Sequence, residues 1–207
     1  AVGRLIRPGD LWSGVEDDEG PLSADEGLTT PWNASWIDVV PKELDIVTGS
    51  PDLMCVSGAD LLEFVKGWTP RTAGRRTERA QLSAGGGEDP ILDHIEGDLA
   101  RLRAIDDGIG GEALLTMVCH QQRLLATMAK HYGADCWQAR RCLSILAQYC
   151  QFAGWLALDL GQHARAQRSF FLAMRLCDLI GDCDLSSLIL SCMRVQATNS
   201  GRLKDAL

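Results

Sequence analysis

Residues 154–173 read GWLALDLGQHARAQRSFFLA, and the fold turns on this stretch. Gly154 stands seven residues before Gly161, Ala166 follows Gly161 by five, Phe170 comes four later and Ala173 three beyond that. Each interval has a physical use. A small residue at 154 lets two helices approach closely. Gly161 ends the first helix and supplies the turn. Ala166 is expected as the small partner facing 154, Phe170 as the side chain that fills the groove toward the next helix pair, and Ala173 as the residue that keeps the seam narrow.

The same spacing returns in part. Gly201 and Ala206 each lie 40 residues downstream of Gly161 and Ala166, and Gly133 opens a weaker copy upstream. These small and large residues resemble a tetratricopeptide unit, at a period longer than the usual ~34 residues, so each helix is expected to be about a turn longer. A helix pair of this kind cannot bury its apolar face alone. Stacked pairs leave a concave groove lined by the first helix of each pair, which suits a peptide, a partner helix or a small ligand. Trp155 reads as packed against the preceding helix, with a contact in that groove as the alternative.

Outward from this stretch, everything after Pro90 follows a 3.6-residue period. Helices are predicted over about 91–107 (Ile91, Ile95, Leu99, Leu102 and Ile105 on one face), 112–131, 135–160, 163–180 and 184–199 (Leu185, Leu188, Cys192 and Val195), with a sixth starting at Arg202. Tight Gly turns and no strand signal predict an all-α, antiparallel helical array over 91–207, a right-handed α-solenoid. Arg165 and Arg168 fall on the outer face of the fourth helix and read as solvated, with an acidic contact as the alternative. Asp184 reads as the N-cap of the fifth.

Before residue 90 the character differs. All seven Pro lie at or before position 90, and only one of the eight Cys does. Residues 1–12 are a short tail, and 13–90 read as a poorly structured linker region with one short amphipathic helix near 59–68. The acidic run at 16–19 and the stretch with Arg71, Arg75, Arg76 and Arg79 read as solvated tethers.

Composition narrows the function. The net charge is −8, and an acidic chain repels phosphate, because DNA affinity comes largely from Lys and Arg displacing counterions. No apolar run approaches the ~20 residues that span a bilayer, and no signal peptide opens the chain. The cysteines form no CxxC pair and read as reduced, buried thiols of a cytoplasmic protein. Metal ligation would need four convergent N or S donors, and neither Cys119-His120 nor His131 with Cys136 offers them. No phosphate loop, GxSxG or Cys/His dyad is present, so the chain is expected to be a non-enzyme with no catalytic, cofactor or metal residues. It lacks an initiator Met and stops at Leu207 in mid-pattern, as a piece of a longer protein would.

The stretch FAGWLALDLGQHARAQRSFFLAMRLCDLIGDCDLSSLILSCMRVQATNSGRLKDAL (152–207) resembles the regulatory half of actinobacterial helix-turn-helix transcriptional regulators that carry tetratricopeptide repeats. HIEGDLARLRAIDDGIGGEALL (94–115) resembles the helix before those repeats, SGADLLEFVKGW (57–68) the linker helix, and AVGRLIRPGDLW (1–12) the exit of a phage-repressor-type DNA-binding domain. The resemblance implies a regulatory or sensor portion, a protein or peptide partner in the groove, DNA contact only through a domain upstream, and a homodimer that reads two half-sites. The other reading is a tetratricopeptide scaffold that docks a protein and has no DNA role.

Overall fold

Four glycines set the turns of the helical region. In the computed structural model, which describes residues 36–49, 55–68, 87–109, 111–133, 136–201 and 205, Gly133, Gly161, Gly181 and Gly201 all have positive φ, between 71° and 84°. A side chain at such a φ is strained, whereas glycine adopts it freely. At Gly161 the turn closes in full: the Gly161 N–H donates to Leu158 O (2.9 Å) and the Gln162 N–H to Ala157 O (2.8 Å). The last carbonyls of the preceding helix are thereby satisfied by a left-handed cap.

The helices are α1 (Trp36–Gly49), α2 (Ala59–Trp68), α3 (Pro90–Ala104), the single turn α4 (Asp106–Ile109), α5 (Gly111–Tyr132), α6 (Trp137–Asp159), α7 (His163–Ile180) and α8 (Cys183–Asn199). No strand occurs among the described residues. Two helix starts are set by side-chain caps. Asp89 accepts from Ile91 N and Leu92 N with Pro90 in the first turn, and Asp182 accepts from Leu185 N. The N-cap of α8 is therefore Asp182 and not Asp184, which sits inside the first turn.

Helix α6 is the centre. It packs along α5 and α7, and α3 and α8 also lie against it. Its face toward α3 is fixed by Tyr149, whose buried hydroxyl donates to Ile95 O (2.9 Å), and by Arg141, which reaches Asp93 and Glu96. Its face toward α7 is fixed by Gly154, where the Phe170 ring lies so close that no side chain fits between. The core runs continuously from Leu92 and Leu114 through Leu146, Tyr149 and Leu156 to Phe170, Met174 and Ile189.

Several expected faces are rotated. Leu92, Ile95, Leu99 and Leu102 form the buried stripe of α3, while Ile91 and Ile105 are exposed. On α8 the buried set is Ser186, Ile189, Cys192, Met193, Gln196 and Ala197, which leaves Leu188 and Val195 exposed, and Leu160 is exposed past the end of α6. These residues lie within about one position of the true stripe, a 100° step on a helix. The first predicted helix ends at Ala104, three residues early, because Ile105 leaves the helical register and α4 follows as a separate turn.

Helix α2 lies where expected, at Ala59–Trp68. Helix α1 was not announced by the sequence pattern. It contributes Val40, Leu44 and Val47 at i, i+4 and i+7, all buried, and packs across both α5 and α7. Arg123 of α5 clips its end, with Arg123 Nη2 2.7 Å from Thr48 Oγ1 and Nε 3.5 Å from Asp45. The tail 1–12, the acidic run, the Arg71–Arg79 stretch, the helix expected from Arg202 and Ala206 lie outside the described residues.

Candidate functional site

On α6, a helix of 100° per residue places Arg141, Ser144, Gln148, Gln151 and Trp155 within an arc of about 80°. All but Gln151 are partly open to solvent. This arc lies between the edges that α6 gives to its two neighbours. On the α3 side, Arg103 Nη2 lies 3.3 Å from Gln151 Oε1, and the Arg103 guanidinium sits over the Phe152 ring at 5.8 Å. On the α8 side, Gln151 Nε2 points to Cys192 Sγ at 3.5 Å. Gln151 thus touches both α3 and α8, and this strip of α6 runs between them.

Trp155 is half-buried on this strip, its body packed on the core. Leu188 and Val195 flank Cys192 on the side of α8 turned away from α7, and they are 50% and 41% exposed. Beside this strip lie two exposed apolar side chains on α8 and a cation on α3. Partial burial lowers the Arg103 pKa from its ordinary value while Tyr149 pulls it back. A guanidinium that has already shed part of its water and rests on an aromatic face is well placed to donate to a carboxylate or a peptide carbonyl.

The residues of the 154–173 spacing are brought together. Ala166, Phe170 and Ala173 are all 0% exposed, Gly154 is buried, and Gly161 makes the exposed turn between α6 and α7. The residue over Gly154 is Phe170: a Cβ built at 154 would lie 2.6 Å from Phe170 Cδ1 and 3.0 Å from Cζ. Phe170 thus fills the space between α6 and α7. Gly201 makes the turn after α8.

Arg168 is not solvated. With Arg175 it faces Glu43 of α1, in a charged cluster between α1 and α7. Burial pushes the Glu43 carboxyl above its ordinary range, against the pull of Arg175 and Arg168. Burial likewise lowers both guanidinium groups, with Glu43 raising them. The sequence signal for this cluster was the pair Arg168 and Arg175, seven apart on one face, but its anion came from a helix that the pattern did not show. Arg165 contacts Cys119 Sγ and Gln162 Oε1.

Residues 55–58 form a second unannounced contact. Gln167 of α7, 1% exposed, accepts from Val56 N (2.6 Å) and donates to Val56 O (2.8 Å). The Phe64 and Phe171 rings stack with centroids 4.2 Å apart. Among the described residues no group of three or more His, Cys, Asp or Glu is placed to hold a metal ion, and no helix is long and apolar enough to cross a membrane. No family model, no curated protein and no solved structure matches this chain.

Proposed function

We propose that this chain is the sensing portion of a bacterial helix-turn-helix transcription regulator, built on tetratricopeptide-like helix pairs, and that the strip of α6 between α3 and α8 holds its effector. In this reading α6 and α7 form one such pair, packed along their length, and α3 and α8 flank α6 on the side that meets the effector. The observation that carries the proposal is this strip of α6: Trp155 half-buried on it, Arg103 held over Phe152 on the α3 side, and Leu188 and Val195 exposed on α8. Exposed apolar side chains beside a cation suit a peptide or small ligand that has both an apolar side and a carboxylate or carbonyl. DNA is read by a segment N-terminal to the array and the protein acts as a homodimer; residues 91–207 carry 12 Lys and Arg against 12 Asp and Glu, so the array has no basic excess to draw phosphate.

The test has two arms. Gel-shift titration at low salt should show no sequence-specific binding by residues 1–207 and specific binding by the complete gene product to its own promoter region. Failure of the complete product to bind DNA would favour the scaffold reading. Peptides and small ligands that raise the melting temperature of the wild-type chain should lose that effect in Trp155→Ala and Arg103→Ala. Ligands that protect these variants equally would remove the strip from the proposal.

A further inference from the structure

Two helices of the array carry a seam that faces solvent. On α3 the row Ile91, His94, Asp98, Arg101 and, just past the helix end, Ile105 advances by alternate steps of three and four residues. On α5 the row Met117, His120, Leu124 and Thr127 does the same. That spacing is the one by which a helix meets a partner helix. Yet every residue of both rows is exposed except the half-buried Asp98, and the four large apolar side chains among them are 39–60% exposed. The α3 row lies about 120–160° around the helix from Arg103, so it looks away from α6. Tyr132 Oη donates to Asp89 Oδ2 at 3.3 Å, which sets the end of α5 at the start of α3, and the two helices run antiparallel.

Both rows read the same in either direction. Ile91 and Ile105 stand seven residues either side of Asp98, and Met117 and Leu124 stand symmetrically about the His120–Gln121 step. Counted from the Tyr132–Asp89 contact, the two centres lie within about 4 Å of one level at 1.5 Å per residue. A two-fold axis crossing both helices there lays Ile91 against Ile105 of a second copy, and Met117 against Leu124 of that copy. A two-fold contact demands this property, that residue i meets j and j meets i; a different protein does not. The charges agree. Asp98 at the centre holds Arg101 and, at 3.5 Å, His94 Nε2 of its own chain. Opposed copies therefore bring two carboxylates together with two guanidinium groups, which balance. The size is also adequate. The 22 residues of α5 are about 33 Å long, and two helices side by side about 20 Å wide, so the face offers roughly 600 Å² per copy, of the order of the ~800 Å² that each partner of a stable pair buries.

We propose that the joint face of α3 and α5 is an interface with a second copy of this chain, with the two-fold axis at Asp98 and the His120–Gln121 step. The four helices then pack as an antiparallel bundle. This rests on the homodimer reading above and gives it a surface. Helix α3 is shared: one side meets the second copy, and the other carries Arg103 toward the strip of α6, which stays open in the pair.

Sedimentation equilibrium of the chain 1–207 at micromolar concentrations tests the face. Wild type should dimerise. Met117→Glu and Leu124→Lys each bury an unpaired charge in the pair and should weaken dimerisation at least tenfold. Their circular dichroism should match wild type, because both positions are exposed in a single copy. A one-to-one mixture of the two variants should recover at least fivefold, since the introduced charges then sit on different chains and meet across the axis. Leu62→Lys, at an equally exposed site on α2, should change nothing. A monomer throughout, a dimer indifferent to Met117→Glu and Leu124→Lys, equal weakening by Leu62→Lys, or a mixture no better than its components would each overturn the face. The gel-shift test on the complete product separates this result from the regulator reading. A monomeric chain 1–207 whose complete product binds its promoter sinks the face and leaves the regulator standing, and a dimer that responds as described with no DNA binding does the reverse.

Discussion

Gly154→Ala tests the seam between α6 and α7 with a single carbon. Two effects oppose each other. In a helix interior alanine is favoured over glycine by about 1 kcal/mol. Against that, the new Cβ would lie 2.6 Å from Phe170 Cδ1 and 3.0 Å from Cζ, well inside van der Waals contact. The ring has nowhere to go, since Phe170 is 0% exposed and its neighbour Ala173 is too. Overpacking of this kind typically costs about 1–3 kcal/mol; with the new Cβ this deep inside contact the upper part, about 2–3 kcal/mol, applies, so the net expectation is a loss of about 1–2 kcal/mol. For a chain of this size that lowers Tm by roughly 2–8 °C. Urea denaturation and thermal melts followed by far-ultraviolet circular dichroism give both numbers. The double variant sharpens the test: once Phe170→Leu removes the ring, Gly154→Ala should become neutral or stabilising, with a coupling of about 1–2 kcal/mol. A Gly154→Ala protein as stable as wild type, or the same loss in both backgrounds, would refute the argument.

Phe170→Ala should cost about 3–5 kcal/mol by leaving a cavity between α6 and α7, read by urea denaturation. Ala166→Trp should destabilise by about 1–3 kcal/mol or more in the same assay, because position 166 is wholly enclosed. Arg141→Ala should cost no more than ~1 kcal/mol, since its partners Asp93 and Glu96 are half exposed and screened by water. Glu43→Gln carries a pH signature. Because burial raises the folded-state pKa of Glu43 above its unfolded value, the native state holds this proton longer. Wild-type stability from this group is therefore fully present below the ordinary glutamate range and lost as pH rises through the raised value. The stability of Glu43→Gln minus that of wild type should increase over that window, and a flat or falling difference would refute the assignment.

Turns were the most legible part of the chain. Gly133, Gly161, Gly181 and Gly201 mark helix ends that the structure places within a residue or two, because a left-handed cap makes a local demand that one residue type meets best. Helix phase was less legible. Ile91 and Leu92 are adjacent and both apolar, and only the neighbour that α3 meets decides which is buried. Helix α1 was illegible for another reason: Pro41 lies inside it, and proline argues against a helix interior. Its i, i+4, i+7 pattern of Val40, Leu44 and Val47 was the available signal. Missing α1 hid its anion, so Arg168 read as solvated. The Gln167 contact was illegible in principle, since its partner lies 111 residues away in sequence.

Helix α1 also bears on how the molecule comes apart. A stack in which each helix pair touches only the next behaves as a one-dimensional ladder, and its ends can open while the middle stays closed. Here one early segment braces α5 and α7 together across the outside of the array, so neither can leave without releasing it. Hydrogen exchange should therefore report α5, α6 and α7 as one cooperative unit with a shared opening free energy, and α8, which α1 does not brace, as a unit of lower protection. Severing the brace, for instance by Leu44→Asp, should make the exchange of α5 and α7 diverge, turning a closed frame back into a ladder.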